Sequence, residues 1–406
     1  MGAEPKPNLT IVSESYWPER NSTGQLITEL AESLTPWFDV EVLTAQPKYN
    51  GVYGHQPELE TRNQTRVSRL WATRYRKESR LGRLCNWFSF FASLLFAVAR
   101  RLGPRTYLFV TNPPVAPWAL LLARALGQRT FVLVYDLYPD LAEAIGAVRR
   151  GGVWSKLFDA VNKYCFRRAD GIIALGEDMR LRLTSKLRAR APIHVIPNWA
   201  NGQLISPAPK HSSRFAAKAG LEDRFVFLYA GNLGLFQDLE ALVRAVETLP
   251  ALEVEPALVF VGDGGKRRRL EVLARASNRV SIHDFLPYEQ LGDLYAAADV
   301  GLIALEPGVE KTNVPSKTYS ILAAGKPFLA VCDSSTDLER LAEDGCGVCV
   351  PNDPDLVAAA MLSLMADPAS RECMGRRARE VFDRCFSREA AIDRYRQLLQ
   401  SEGIRS

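Results

Sequence analysis

The sequence predicts an α/β protein made of two doubly wound, Rossmann-like domains that face a central cleft. Three observations carry that expectation. Short apolar runs alternate with helical patterns through the first 200 residues, the alternation resumes after residue 223, and glycine-rich turns follow strands in the second series. At 406 residues the chain exceeds one ordinary domain. Its 47% hydrophobic and 24% charged content is that of a globular protein with substantial cores.

The first series reads as a strand at 9–12, a helix at 23–34 and a strand at 40–44. Further strands are expected at 107–111, 130–135, 171–175 and 193–197, with helices between most of them. Residues 201–223 hold Gly, Pro, Ser and Lys without periodicity and read as an interdomain linker. The second series places strands at 225–229, 258–261, 280–282, 300–304, 328–331 and 347–350, and helices close the chain over 370–400. The expected division is therefore 1–200, a linker at 201–222, 223–385, and a C-terminal helix at 386–406 that packs back on the first domain. Ligands of such folds sit at the carboxyl ends of the strands, which puts the site in the cleft.

The charge balance is +5, and Arg100, Arg101, Arg105, Arg124, Arg129, Arg149, Arg150, Arg167 and Arg168 crowd the N-terminal half. Two readings stand: solvated helix faces, or attraction to an anionic membrane or a phosphate-bearing acceptor. No recognition motif accompanies the charge, so nucleic acid is not expected as a partner. Among seven cysteines the only close pair is Cys346 and Cys349. Strand positions three apart point to opposite faces, so the two sulfurs do not converge and no metal site is expected. Residues 1–8 are polar and proline-containing rather than an export signal, and the cysteines are scattered, which together predict a cytoplasmic protein.

The most pointed motif runs over 314–327. It reads as a helix starting at Pro315 or Ser316, capped by Ser316, and ending at Gly325 before a buried strand. Lys317 in its first turn opposes the helix dipole unless an anion lies there, held by amides and ammonium together. Upstream, Tyr229-Ala230-Gly231-Asn232-Leu233-Gly234 is a strand entering a glycine turn. Two such turns suggest a diphosphate site and a nucleotide-handling protein.

The run 85–99 is uncharged and flanked by Arg80, Arg83, Arg100 and Arg101. As a helix of fifteen residues it reaches about 22 Å, short of the roughly 30 Å hydrocarbon core, so it is not expected to span a bilayer. Leu84, Trp87, Phe88, Phe91, Leu94, Leu95 and Val98 line one face, with Asn86, Ser89 and Ser93 opposite. A core helix and an interfacial helix at the inner face of the plasma membrane both remain open.

These residues resemble the family-4 retaining glycosyltransferases of the GT-B fold, in the manner of the bacterial enzymes of polysaccharide and lipopolysaccharide assembly. The resemblance covers nearly the whole chain. It rests on Val195-Ile196-Pro197-Asn198-Trp199, the Tyr229–Gly234 turn, Phe260-Val261-Gly262-Asp263-Gly264-Gly265, Phe285-Leu286-Pro287-Tyr288-Glu289-Gln290-Leu291 and the helix after Pro315. Looser matches are Trp17-Pro18-Glu19 and the approach to Asp140.

The resemblance implies transfer of a sugar from a nucleoside diphosphate to a hydroxyl of a glycan or a polyprenyl-diphosphate-linked acceptor, with configuration retained and without a cofactor or metal. Catalysis then rests on stabilising charge on the departing diphosphate, by amides near Gly231, Asn232 and Gly234 and by Lys317. Phe285 and Leu286 would hold the base, with Asn313, Pro315 and Ser316 beside the phosphates. The loop from Glu19 to Gly24 would cover donor and acceptor. Asp136 is the expected sugar or acceptor contact, with Asp140 and Glu143 as further candidates, and Asp263 a structural turn residue.

Two departures from the family pattern stand out. A glutamate that holds the ribose hydroxyls is replaced by Ser320, with Thr318 or Tyr319 as compensation. Its partner eight positions earlier is assigned to Glu310, with Glu306 second. The arginine and lysine that usually neutralise the diphosphate correspond to Asn232 and Gln237, leaving Lys266 and Arg267–Arg269 as reserves. A nucleotide-sugar epimerase of the same fold and a catalytically silent binding subunit are the alternatives.

Overall fold

In the computed structural model, residues 5–19, 21–47, 54–75, 80–144, 146, 148–188, 191–234, 237–307, 315–333 and 336–401 are described. The chain divides into two units: residues up to Pro197 together with the segment from Ile392, and Asn198–Ala391.

The first unit holds β1 (Asn8–Val12), β2 (Asp39–Ala45), β3 (Leu59–Arg62), β4 (Thr65–Leu70), β5 (Thr106–Val110), β6 (Arg129–Val134), β7 (Gly171–Ala174) and β8 (Ile193–Val195). Their order is β3-β4-β2-β1-β5-β6-β7-β8, parallel except for β3 against β4. β5 reads Thr-Tyr-Leu-Phe-Val and is buried at every position, as a central parallel strand covered by helices on both faces must be.

The second unit holds β9 (Phe225–Ala230), β10 (Pro256–Val261), β11 (Val280–His283), β12 (Val300–Ala304), β13 (Phe328–Val331) and β14 (Gly347–Val350), in the order β11-β10-β9-β12-β13-β14 and parallel throughout. β9 and β10 are likewise apolar and buried at every residue. All six strands expected here are present.

Three expectations change. The segment read as a linker packs on the second unit instead: it contains the Arg214–Ala219 helix, capped by Ser213. Asp293 accepts from the Arg214 and Phe215 amides at 2.8 and 2.9 Å, and Lys210 pairs with Asp299 at 2.7 Å. Side-chain anchoring without periodicity left no signal. The β3–β4 hairpin was not expected at all. The C-terminal Arg388–Ser401 helix joins the first unit from Ile392 onward, with the Arg396 guanidinium 5.3 Å from the Trp37 ring centroid and Arg129 Nη1 donating to the Leu399 carbonyl at 3.3 Å.

The third change concerns the apolar helix, which spans Arg80–Ala99. Its 20 residues reach about 30 Å, so length does not keep it out of a bilayer and Leu81–Ala99 is long and apolar enough to cross one. One side of it packs into the domain, where Phe90, Leu94 and Val98 are fully buried. The polar side is not turned to solvent either. Asn86 is buried, accepting from the Tyr75 amide and the Thr73 hydroxyl at 3.0 and 2.9 Å, and Ser89 accepts from the Thr73 amide at 2.9 Å. What faces outward is largely apolar: Leu81, Leu84, Phe88 and Phe96 are exposed, with Arg83 among them.

Cys346 is buried just before β14, while the Cys349 thiol hydrogen-bonds to that of Cys332, just past the end of β13. The C-x-x-C spacing therefore brings no two sulfurs of its own together.

Candidate functional site

In the second unit the winding direction reverses at β9, whose neighbours are β10 and β12. The chain leaves β9 through Gly231, at φ +133°, and its amide continues the ladder to the Val261 carbonyl at 2.9 Å. The turn after β10 presses against it. Gly262 has φ +154°, and a Cβ there would fall 1.9 Å from the Gly231 carbonyl oxygen, so only glycine fits. Leu233 N donates to Asp263 O at 2.9 Å, Lys266 N to Leu233 O at 2.8 Å, and the Tyr229 hydroxyl to Asn232 O at 3.1 Å. The two glycine turns are thus one braced unit.

Lys317 opens the Lys317–Ala323 helix, which ends as expected: Gly325 is left-handed, and the amides of Gly325 and Lys326 return to the Leu322 and Ile321 carbonyls. The Lys317 ammonium lies 3.2 Å from the Tyr229 ring centroid. A Cβ on Gly231 would lie 3.5 Å from its Cε and 3.8 Å from its Nζ. No carboxylate among the described residues pairs with it. Burial pulls its pKa well below the ordinary lysine value, and the face of the ring offers a cation–π contact in place of a counter-ion. An ammonium so placed beside a glycine turn is suited to an arriving anion.

Other expectations need correction. Ser316 has helical dihedrals and makes no capping bond. The Gly234 amide is taken by Gln237 Oε1 at 3.1 Å and the Gly231 amide by Val261, so neither donates into open space. Lys266 is no reserve cation: its Nζ binds Glu306 at 2.5 Å, Glu240 at 3.0 Å and the Gln237 carbonyl at 2.7 Å. Those bonds also withdraw Glu306 from a sugar. Arg267 ties the Gly262 carbonyl (3.0 Å) to Asp284 (2.7 Å), linking the glycine turn to the segment that carries exposed Phe285 and half-buried Leu286. Arg268 and Arg269 are exposed, the latter 3.3 Å from Glu240. Asp263 closes its own turn by accepting from Gly264 N at 2.8 Å.

Ser320, one turn past Lys317, bonds to the Tyr295 hydroxyl, and the Tyr319 hydroxyl accepts from the Asn198 backbone. Pro315 is half-buried, and the Thr318 hydroxyl is buried without a partner among the described residues. Glu310 and Asn313 lie outside the described residues. The feature that sequence reasoning missed is Tyr229 as the partner of Lys317; an aromatic as the penultimate residue of β9 was its only signal.

In the first unit the equivalent reversal is at β1, between β2 and β5. Asn21 in the loop after β1 caps the Ser22–Leu34 helix, accepting from Gly24 N at 2.7 Å and donating to buried Glu19 at 3.1 Å. Asp136 follows β6. Its amide and carbonyl share the Thr111 hydroxyl at 3.3 Å each, but its carboxyl meets no cation among the described residues, and burial pushes its pKa up to about 6. It also helps push the Tyr138 hydroxyl up to about 12. Asp140 and Glu143, by contrast, are structural. Asp140 pairs with Arg182 at 2.6 Å and with Lys186, and Glu143 accepts from Gly151 N at 3.0 Å and from Ser155.

The family models separate along the same line. Residues 23–199 match the glycosyl transferase 4-like domain and residues 212–381 match glycosyl transferases group 1. The chain belongs to the family-4 glycosyltransferases of the GT-B fold. This transferase is 28% identical to the probable glycosyltransferase WbjE of Pseudomonas aeruginosa over 75% of its own length and 77% of that protein's. It is 26% identical to the putative colanic acid biosynthesis glycosyl transferase WcaI of Escherichia coli (strain K12) over 88% and 91%. Among solved structures, sucrose-phosphate synthase of Thermosynechococcus elongatus superposes with a TM-score of 0.79 at 20% identity, covering 99% of this chain and 100% of that one. Anabaena HepE in complex with UDP-glucose gives 0.71 at 16% identity over 97% and 99%. At these identities the structures speak for the fold alone.

Proposed function

We propose that this transferase takes a hexosyl or N-acetylhexosaminyl group from a nucleoside-diphosphate sugar and places it, with retention, on a hydroxyl of a glycan or polyprenyl-diphosphate-linked acceptor in polysaccharide assembly. The observation that carries the reading is the Lys317 ammonium, seated on Tyr229 against Gly231 with no carboxylate partner among the described residues. Negative charge grows on the diphosphate as the sugar departs, and a preorganised, poorly solvated cation stabilises it more than the ground state. Anabaena HepE binds UDP-glucose and WcaI is named for colanic acid biosynthesis, which supports the donor class and the polysaccharide setting.

In this reading the acceptor attacks from the face the diphosphate leaves, and a phosphate oxygen takes the acceptor's proton. Lys317 supplies the positive charge at the leaving group, so no resident cofactor or metal is assigned. Gln237 yields the Gly234 amide by exchanging its side-chain bond when the diphosphate arrives. Asp136 is assigned to hold the acceptor or sugar hydroxyl on the N-terminal unit, where a pKa of about 6 leaves its carboxylate able to accept a hydrogen bond near neutrality. The cysteines are free thiols, which supports a cytoplasmic setting.

Calorimetry of the purified chain against UDP, GDP, ADP and dTDP tests the donor site, and NMR of the anomeric proton in the product tests retention. Saturable binding of one diphosphate, lost in Lys317→Ala, is expected. A second reading, a silent binding subunit, is favoured by Ser320 being spent on Tyr295; binding of none of the four diphosphates would select it.

A further inference from the structure

The apolar outer stripe of the Arg80–Ala99 helix does not stand alone. Phe88 and Phe91 pack on Trp118, with ring centroids 6.3 and 6.1 Å from it, and Phe158 meets the same indole at 5.0 Å. Trp118 Nε1 is fixed by Asn162 at 2.7 Å, so the Val153–Phe166 helix is locked to this junction. That second helix projects Val153 and Trp154, about one turn before Phe158, and Leu157 next to it, exposed at 81%, 79% and 54%. Leu81, Leu84 and Phe88 of the first helix are exposed at 75%, 43% and 48%. An aromatic seam therefore joins two protruding apolar edges from separate helices.

The unpaired charges on these two segments, among the described residues, are basic. Arg83, Arg149, Arg150 and Lys156 are exposed, and none is ion-paired among the described residues. The carboxylates that border the second edge are already taken: Glu143 accepts from Gly151 N and Ser155, and Asp159 pairs with Lys163 and Lys186. Tryptophan and leucine projecting beside unpaired arginine and lysine match an anionic interface, in which rings enter the acyl boundary and cations stay with the headgroups. A protein partner has no need of so uniform a rim.

We infer that the Leu81–Phe88 and Val153–Leu157 edges together form a two-helix docking surface for an anionic phospholipid bilayer. The surface holds the transferase at the membrane without a span. This deepens the proposed function by placing the acceptor in the bilayer, and it is read independently of nucleotide binding.

The test is partitioning of the full chain onto phosphatidylcholine vesicles with and without phosphatidylglycerol, at low and high salt. Binding to the anionic vesicles, weakened by salt, is expected, with little on phosphatidylcholine alone. Val153→Ser with Trp154→Ser removes two residues that are almost wholly exposed and leaves the melting temperature unchanged. It should weaken partitioning at least ~10-fold. Leu84→Ser with Phe88→Ser should do the same, and Arg149→Glu with Arg150→Glu should remove the salt-sensitive part. Vesicle binding that persists unchanged in the Val153/Trp154 variant would overturn the proposal, as would equal binding to neutral vesicles. Self-association of the free chain without vesicle binding would also overturn it, assigning the face to a second copy. Vesicle binding in a chain that binds no nucleotide would uphold this surface while removing the donor assignment.

Discussion

The Lys317 ammonium sits 3.2 Å from the centroid of the Tyr229 ring. The chain thus brings a desolvated cation to the end of β9 with a π-face, and no carboxylate among the described residues, to hold it. Such an arrangement costs stability in the free protein and is recovered when an anion binds. Lys317→Met keeps the length of the stem and removes the charge. It should raise the melting temperature of the free chain, abolish the stabilisation given by nucleoside diphosphate, and lower turnover by roughly two orders of magnitude or more. Thermal melts with and without nucleotide, beside a transfer assay, check all three.

Asp136 makes the same exchange with the opposite sign. Its carboxyl is raised by burial from 3.8 to about 6. Between those values the folded state holds a proton that the unfolded chain has released, so stability falls as pH rises through the window and is flat above it. The full cost is about 3 kcal/mol. Asp136→Asn should therefore raise the melting temperature at pH 7 but not at pH 4. It should also flatten a limb near pH 6 in the pH dependence of kcat/KM and lower activity above it. Equal melting shifts at both pH values would count against the buried, unpaired carboxyl.

The two glycine turns differ from ordinary loop glycines. Gly262→Ala would drive a Cβ to 1.9 Å from the Gly231 carbonyl oxygen at φ +154°. A loss of ~3 kcal/mol or more and of nucleotide response is expected in denaturant titration. Gly151, at φ +66°, has nothing within 4 Å of a Cβ, and Gly151→Ala should cost only ~1 kcal/mol with nucleotide binding intact.

Ser320→Glu tests the departure at the ribose position. A carboxylate hydrogen bond is worth ~1.5–3 kcal/mol against ~0.5–1.5 for a neutral one. The variant should bind donor up to ~10-fold more tightly by calorimetry, less what is lost at Tyr295. Weaker binding would show that the serine itself is the better ligand here.

Central strands were legible because parallel strands buried on both faces are near-continuous apolar runs, as in the Phe225–Ala230 strand. The β3–β4 hairpin was not. Its two-residue turn uses Asn63 and Gln64, both at positive φ, and no glycine announces it. The orientation of the Arg80–Ala99 helix was misread because Asn86 and Ser89 find backbone partners at Thr73 and Tyr75, and a polar face that is satisfied can be buried. Lys317 was legible as an anomaly, a cation at a helix start. Asp140 and Glu143 looked like Asp136 in sequence; only packing showed two of the three already paired. Lys266 was misassigned for the same reason, since its carboxylates come from Glu240 and Glu306, far away in the chain.

In the proposed donor complex Lys317 meets the diphosphate. The most direct measurement is calorimetry of diphosphate binding at pH 8 in buffers of different ionisation heat. Burial lowers the lysine's pKa in the free chain and an anion raises it again, so binding should take up protons. Net proton uptake is expected in the native chain, and none in whatever binding Lys317→Met retains. Tight diphosphate binding with the same proton balance in both proteins would contradict it.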